Sequence, residues 1–177
     1  GRLKHLGRGE LAIGQAPDSH ADTAHRLTAV AKLLNEGGVP CVVSPDIRKD
    51  QWSKFLVNCS YNAISAIGQL TYGKMVTEAV RVLIKHLADE VVSVAQHQGI
   101  ALTHQEAQQV NDMIPQTMPG QLSSTAQDLA RKKPSEIEYL NGLIVRKGQE
   151  FGIPTPANQS VYALVKMLED AQAQQKV

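Results

Sequence analysis

The sequence predicts a mainly α-helical protein that is preceded by a short α/β segment. From residue 46 onward apolar residues recur at helical spacing in every long segment, whereas short β-branched runs occur only before it. Two or three strands and one helix are too few for a parallel sheet that is covered on both faces. We therefore predict an incomplete α/β part at residues 1–45 and a helical domain at residues 46–177.

Composition excludes several classes of partner. Lysine and arginine number 18 against 17 aspartate and glutamate, so the sequence has no basic field for nucleic acid and no polybasic membrane anchor. No apolar run approaches the roughly 20 residues of a membrane span, and no signal-peptide pattern opens the chain. We expect a soluble cytoplasmic protein. Cys41 and Cys59 are expected to be buried thiols, and the six histidines form no metal-binding motif, so no metal is implied.

The first 45 residues predict strands around one helix. Leu3–Leu6 and Leu11–Ile13 are short extended pieces on either side of "GRGE", which is a candidate hairpin turn. The stretch "ADTAHRLTAVAKLLNEGG" has helical spacing and ends in two glycines, and "VPCVV" is a further short strand. Ser44 and Pro45 then suit the N-cap and the first turn of the next helix.

Six helices are predicted after residue 46. "THQE" at Thr103–Glu106 has the reciprocal pattern of a capping box, and "STAQ" at Ser124–Gln127 repeats it. The other predicted helices run from Ile47 to Gly68, from about Met75 to His97, through "PSEIEYLNGLIVRKGQEFG", and from a Thr155 cap with Pro156 in the first turn.

A polar stripe interrupts the first of these helices. Lys54, Asn58 and Asn62 follow one another at four-residue intervals, and four residues advance a helix by about 400°, so the three side chains share a narrow face. Asparagine is unfavourable inside a helix because its amide competes for backbone hydrogen bonds. The stripe has two interpretations: a solvated face or helix-to-helix network, or a substrate cleft in which a lysine donates a proton to a carbonyl oxygen.

Two stretches together resemble a known family. "WSKFLVNCSYN" and "SSTAQDLARKKPSEIEYLNGLIV" closely resemble the ketopantoate reductase family, also called 2-dehydropantoate 2-reductase, and "GELAIG" and "GIPTPAN" extend the resemblance over nearly the whole chain. The resemblance implies a helical C-terminal domain of the ketopantoate reductase and 6-phosphogluconate dehydrogenase type. It also implies that residues 1–45 are the end of a Rossmann-type NADP-binding domain.

The resemblance also implies roles for five residues. Lys54 is the general acid that protonates the keto oxygen as hydride reaches the same carbon. Asn58 and Asn62 bind polar groups of the substrate, and Ser124 hydrogen-bonds its carboxylate. Glu136 holds a substrate hydroxyl or orients the lysine. These roles are chemically coherent, because reduction needs a proton donor at the developing alkoxide and fixed polar contacts that align the carbonyl.

Structural alternatives remain open for some of these residues. Ser124 has the features of a simple N-cap, and Glu136 lies where it would complement a helix dipole. Asn141, in the matched "LNG", is expected to support helix packing. Trp52 and Phe55 are expected to be packing anchors.

The implied cofactor is NADPH, although no G-x-G-x-x-G motif occurs in the sequence. We therefore expect a C-terminal fragment that is inactive alone and whose parent reduces 2-dehydropantoate to (R)-pantoate. The alternatives are a helical association module from a truncated paralogue and a reductase of a different 2-keto acid. A homodimer is a further expectation, with unpaired strand edges as one route to it.

Overall fold

The computed structural model describes residues 10–15 and 23–174. Within these ranges the chain has two strands and seven α-helices, and the predicted mainly α fold is confirmed. The Leu3–Leu6 strand and most of the "GRGE" turn lie outside the described residues. The elements are β1 (Leu11–Gly14), α1 (Thr23–Glu36), β2 (Cys41–Ser44), α2 (Ile47–Gly68), α3 (Glu78–His97), α4 (His104–Thr117), α5 (Ser124–Ala130), α6 (Asn141–Phe151) and α7 (Pro156–Gln174).

Residue contacts divide the chain into two compact units, Gly1–Gln51 and Trp52–Val177. In the first unit β1 and β2 pair in parallel, with Leu11 opposite Cys41, and α1 connects them. The Asn35 side chain joins α1 to β2, because its amide donates to the Cys41 carbonyl at 2.7 Å and accepts from the Cys41 amide at 3.1 Å. Gly14 ends β1 close to α2, where an added Cβ would lie 2.4 Å from the Ile47 Cβ.

The start of α2 differs from the prediction. Ser44 is the last residue of β2, and Asp46 caps α2 by accepting a hydrogen bond from the Lys49 amide at 3.0 Å. Ser44 instead supports the cap, since its hydroxyl accepts from the Asp46 amide at 3.1 Å. The predicted N-cap at Ser44 was therefore wrong by two residues, because both side chains are good caps and the strand extends to Ser44.

The second unit packs six helices, beginning with most of α2, around α3. Buried residues of α3 belong to three of its apolar clusters, and Val91, Val92 and Val94 are fully buried. The capping box at Thr103 and Glu106 is confirmed. A 3₁₀ turn at Tyr72–Lys74 precedes α3, which begins at Glu78 rather than near Met75 because Thr77 caps it. No helix in the described part of the chain is long and apolar enough to cross a membrane.

The two cysteines are free and buried, as predicted. Burial raises the pKa of the Cys59 thiol well above its ordinary value, so the thiol stays protonated and inert.

Candidate active site

The polar stripe lies on α2 and passes from solvent into the core. Lys54 is exposed, Asn58 is half-buried and Asn62 is only 2% exposed. Among the described residues, neither the Lys54 ammonium nor the Asn58 amide has a hydrogen-bond partner. The stripe is therefore not a saturated helix-to-helix network at its outer end, and its two outer side chains are free to bind a polar molecule.

Asn62 forms the inner end of the stripe and contacts two neighbouring segments. Its Oδ1 accepts a hydrogen bond from the Tyr72 hydroxyl at 3.3 Å, and its backbone carbonyl accepts from the Ser123 hydroxyl at 3.2 Å. The Asn62 side chain is therefore buried, whereas Asn58, one helical turn earlier, is partly accessible to solvent.

The residues at the start of α5 have different roles from those predicted. Ser123, not Ser124, is the N-cap, because its hydroxyl accepts from the Ala126 amide at 3.0 Å. The Ser123 amide also donates to the Ser65 hydroxyl of α2 at 3.2 Å. The capping box predicted at "STAQ" is therefore wrong: the cap lies one residue earlier, and Ala126, three residues after it, has no side-chain acceptor. Ser124 is the exposed first residue of α5. Ser123 and Ser124 are adjacent and equally suitable as N-caps, so the sequence alone does not show which of them precedes the helix.

Glu136 lies in a separate turn rather than in the first turn of a helix. It precedes the 3₁₀ turn Ile137–Tyr139, does not cap that turn with its side chain, and is exposed. The single helix predicted over this stretch is interrupted, since α6 begins only at Asn141. Helix-dipole complementation therefore does not explain Glu136. Ile137 is fully buried in the apolar cluster that also contains Ala63 of α2.

Asn141 joins the start of α6 to the middle of α2. Its Nδ2 donates to the Cys59 carbonyl at 2.9 Å and to Asn158 Oδ1 at 2.8 Å, and both asparagines are fully buried. This is the packing role expected for Asn141. Asn158 in turn bonds Glu90 of α3 at 2.7 Å. Asn158, Glu90 and Ser123 were not predicted, because their contacts join residues that are far apart in sequence.

The structure thus brings three segments to one stretch of α2. The α5 cap contacts Asn62 and Ser65, and α6 contacts Cys59. Ile137, which follows Glu136, belongs to the same apolar cluster as Ala63 of α2. Lys54 and Glu136 are exposed, and Asn58 is half-buried. A cation, an amide and a carboxylate that are accessible to solvent can bind a small polar substrate and move a proton to or from it.

Comparison with known proteins identifies the family. The sequence profile described as "Ketopantoate reductase PanE/ApbA C terminal" matches residues 46–169. The chain belongs to the ketopantoate reductase family. This confirms the resemblance found in the sequence.

Curated relatives carry the same family name. A 2-dehydropantoate 2-reductase of Vibrio cholerae is 32% identical over 173 residues, which is 96% of this chain and 56% of the relative. One of Pyrobaculum aerophilum is 33% identical over 144 residues, 81% of this chain and 51% of the relative. The chain therefore spans about half the length of the curated ketopantoate reductases that it matches.

Solved structures share the fold. A ketopantoate reductase from Ralstonia eutropha JMP134 is 43% identical, with a TM-score of 0.84 over 96% of this chain and 54% of that one. A D-mandelate dehydrogenase, solved with NADH and anilino(oxo)acetate, is 26% identical with a TM-score of 0.86 over 96% of this chain and 70% of that one. The similarity to ketopantoate reductases thus extends from sequence to three-dimensional structure.

Proposed function

We propose that the protein reduces 2-dehydropantoate to (R)-pantoate with NADPH, in the route to pantothenate and coenzyme A. The family membership and the names of the curated relatives support this reaction. In this proposal residues 1–45 end a Rossmann-type nucleotide-binding domain, and residues 46–177 are the substrate-binding and catalytic domain. The parallel pair β1 and β2, joined by α1, supports the first assignment.

The structural observation behind the proposal is the polar stripe on α2, whose residues become more buried from Lys54 to Asn62. Lys54 and Asn58 are accessible and free of partners in the described structure, while Asn62 behind them is held by Tyr72. A purely structural polar network would satisfy its own members, because an unpaired polar group gains nothing from packing. The open outer end fits a solvated helix face or a substrate cleft, and the family match favours the cleft.

Each side chain has a chemical task in the proposed reaction. Lys54 gives its ammonium proton to the keto oxygen as the carbonyl carbon is reduced, which neutralises the developing alkoxide. Asn58 offers its amide to the substrate's polar groups, and the buried Asn62 supports this face from behind. Ser124 bonds the substrate carboxylate. Glu136 holds a substrate hydroxyl or orients Lys54.

The glycine-rich motif of a dinucleotide site is absent from the sequence. The sequence contains no G-x-G-x-x-G, and the nearest pattern, Gly7-x-Gly9-x-x-Ala12, leads into strand β1 rather than into a helix N-terminus. We therefore derive no hydride-transfer geometry from this chain, and NADPH remains part of the proposal for the whole protein.

A second candidate is a reductase of a different 2-keto acid. The D-mandelate dehydrogenase has the higher TM-score of the two structures compared above, and it was solved with NADH, which lacks the 2′-phosphate of NADPH. The two candidates share the proton donor and differ in the substrate side chain.

The proposal also includes a cytoplasmic location and a homodimer. Two buried free thiols suit a reducing compartment. A ketopantoate reductase from Staphylococcus aureus, 25% identical with a TM-score of 0.78, is described as dimeric. Light scattering at high protein concentration tests the dimer, and a monomer would contradict it.

The experiment that tests the function compares two lysine variants of the longest natural form of the protein. Lys54→Ala should lower kcat for 2-dehydropantoate by at least about 10²-fold, because the general acid is lost. Lys85→Ala is the matched control: Lys85 is an exposed helical lysine of α3 that pairs with Asp89 and should leave kcat unchanged. Equal turnover by wild type and Lys54→Ala would contradict the proposed role.

A further inference from the structure

The turn that carries Glu136 is fixed on both sides. Before it, the Ser135 amide donates to Glu169 Oε1 of α7 at 2.7 Å. After it, the Ile137 amide donates to the Ser135 hydroxyl at 3.2 Å, and the Ile137 side chain is fully buried. The Glu136 side chain itself is exposed and has no partner among the described residues. Its orientation therefore depends on the two residues that flank it.

Glu169 is suited to hold this turn. Its side chain is only 12% exposed, and its second oxygen accepts a hydrogen bond from Lys166 at 2.9 Å. Partial burial raises the pKa of the Glu169 carboxyl, but the hydrogen bonds from Lys166 and Ser135 outweigh it, so the net pKa lies below the ordinary value. The carboxylate is thus charged at neutral pH, and a charged acceptor makes a stronger bond to a backbone amide than a neutral one.

We propose that Glu169 is a positioning residue of the active site: it holds the Ser135 amide and thereby orients Glu136 toward the substrate. This inference rests on the proposed function, in which Glu136 contacts the substrate or Lys54. Glu169 itself touches neither. A displacement of the turn by about 1 Å would be enough to cost up to about 10²-fold in rate, because catalysis depends on the alignment of reacting groups.

The first test is structural and needs no activity. Hydrogen exchange of the Ser135 amide, followed by NMR, should accelerate in Glu169→Ala and stay close to wild type in Glu169→Gln, which keeps a carbonyl acceptor. Glu150→Ala is the matched control. Glu150 pairs with Lys147 at i,i+3 spacing and 2.8 Å, as Glu169 pairs with Lys166, but Glu150 accepts no backbone hydrogen bond from any described residue. Unchanged Ser135 exchange in Glu169→Ala would overturn the proposal.

The second test asks whether Glu169 acts through Glu136. In the longest natural form of the protein, Glu169→Ala should lower kcat/KM for 2-dehydropantoate by about tenfold to 10²-fold. Glu169→Gln should stay within about threefold of wild type, because the acceptor is retained. In a Glu136→Gln background, Glu169→Ala should lower kcat/KM little further, because the effects of substituting two coupled residues do not add.

The outcomes separate this inference from the proposed function. A wild-type protein that reduces no 2-keto acid would overturn the proposed function and, with it, the catalytic part of the inference. An active wild type in which the Glu136 and Glu169 losses simply add would overturn the role of Glu169 alone. If Glu169→Ala does not fold, Glu169→Met replaces it in the same measurements, alone and combined with Glu136→Gln. Methionine has a similar volume and lacks the carboxylate acceptor.

Discussion

At the scale of single residues, Tyr61 compensates for a proline inside α4. Pro115 has no amide hydrogen, so the Asn111 carbonyl four residues earlier lacks its helical donor. The Tyr61 hydroxyl of α2 donates to that carbonyl at 2.7 Å. Burial is the main cause that raises the pKa of Tyr61 to about 12, so the hydroxyl keeps its proton and remains a donor over the physiological range.

We expect Tyr61→Phe to lower the free energy of unfolding by about 1–3 kcal/mol, because it leaves a buried carbonyl unpaired. Urea denaturation measures this loss. In a Pro115→Ala background the loss should shrink, since residue 115 then supplies the missing amide. Tyr139→Phe is the control, because Tyr139 is 73% exposed. Equal losses with and without Pro115 would refute the compensation.

At the scale of elements, sequence patterns predicted which helices exist better than how they begin. Periodicity and a glycine stop located α2, which ends at Gly68, and Gly152, with φ of 69°, caps the end of α6. The caps were harder. Thr155 occupies the predicted cap position directly before Pro156, the first residue of α7. The side-chain acceptor is the Glu90 carboxylate of α3, which accepts from the Ala157 and Asn158 amides at 2.8 and 2.9 Å. A cap supplied from another helix leaves no local signal.

We expect Glu90→Ala to lower the free energy of unfolding by about 2 kcal/mol or more. The change leaves two helix N-terminal amides and the Asn158 side chain without their charged acceptor. Chemical denaturation should separate this variant clearly from Glu150→Ala, whose exposed pair with Lys147 contributes little. If Glu90→Ala lowers the free energy of unfolding no more than Glu150→Ala does, water would be an adequate acceptor for the Ala157 and Asn158 amides, and the Glu90 cap would contribute little.

Asp89 links α3 to α4 in a pH-dependent way. Partial burial raises the pKa of Asp89, but hydrogen bonds with Lys85 and His104 outweigh it and hold the net pKa below the ordinary value of 3.8. A depressed carboxyl pKa stabilises the fold above the ordinary value, and this contribution is lost as pH falls through the native pKa.

Asp89→Asn should therefore destabilise the protein at neutral pH and lose its effect under acid conditions. Urea unfolding of wild type and variant between neutral pH and about pH 3 measures the difference, which should narrow as Asp89 protonates. A difference that stays constant over this range would mean that the Asp89 charge contributes nothing to stability.

At the scale of the whole molecule, the two units should differ in stability. A two-stranded sheet is marginal on its own, and Val42 of β2 is 63% exposed. In the 177-residue chain we expect the amides of β1 and β2 to exchange hydrogen much faster than those of α3, because α3 lies in the core of the second unit. Hydrogen exchange followed by mass spectrometry measures the exchange rates of the strand peptides and the α3 peptides separately. Equal protection would contradict the expectation.

The candidate site was only partly predictable from sequence. Four-residue spacing was enough to place Lys54, Asn58 and Asn62 on one face, because spacing on a helix is a local property. Burial of Asn62 and the contact of Ser123 with α2 depend on residues about 60 positions away. The roles of Ser124 and Glu136 came from family resemblance and remain predictions.

The most direct test of the central claim is NADPH oxidation by the longest natural form of the protein, with 2-dehydropantoate and an aryl 2-keto acid compared side by side. We predict a higher kcat/KM for 2-dehydropantoate than for the aryl acid, with activity lost in Lys54→Ala and kept in Lys85→Ala. A higher kcat/KM for the aryl acid would leave Lys54 as the proposed proton donor but would make the aryl acid the better substrate. Absence of turnover with either acid would contradict the proposed function.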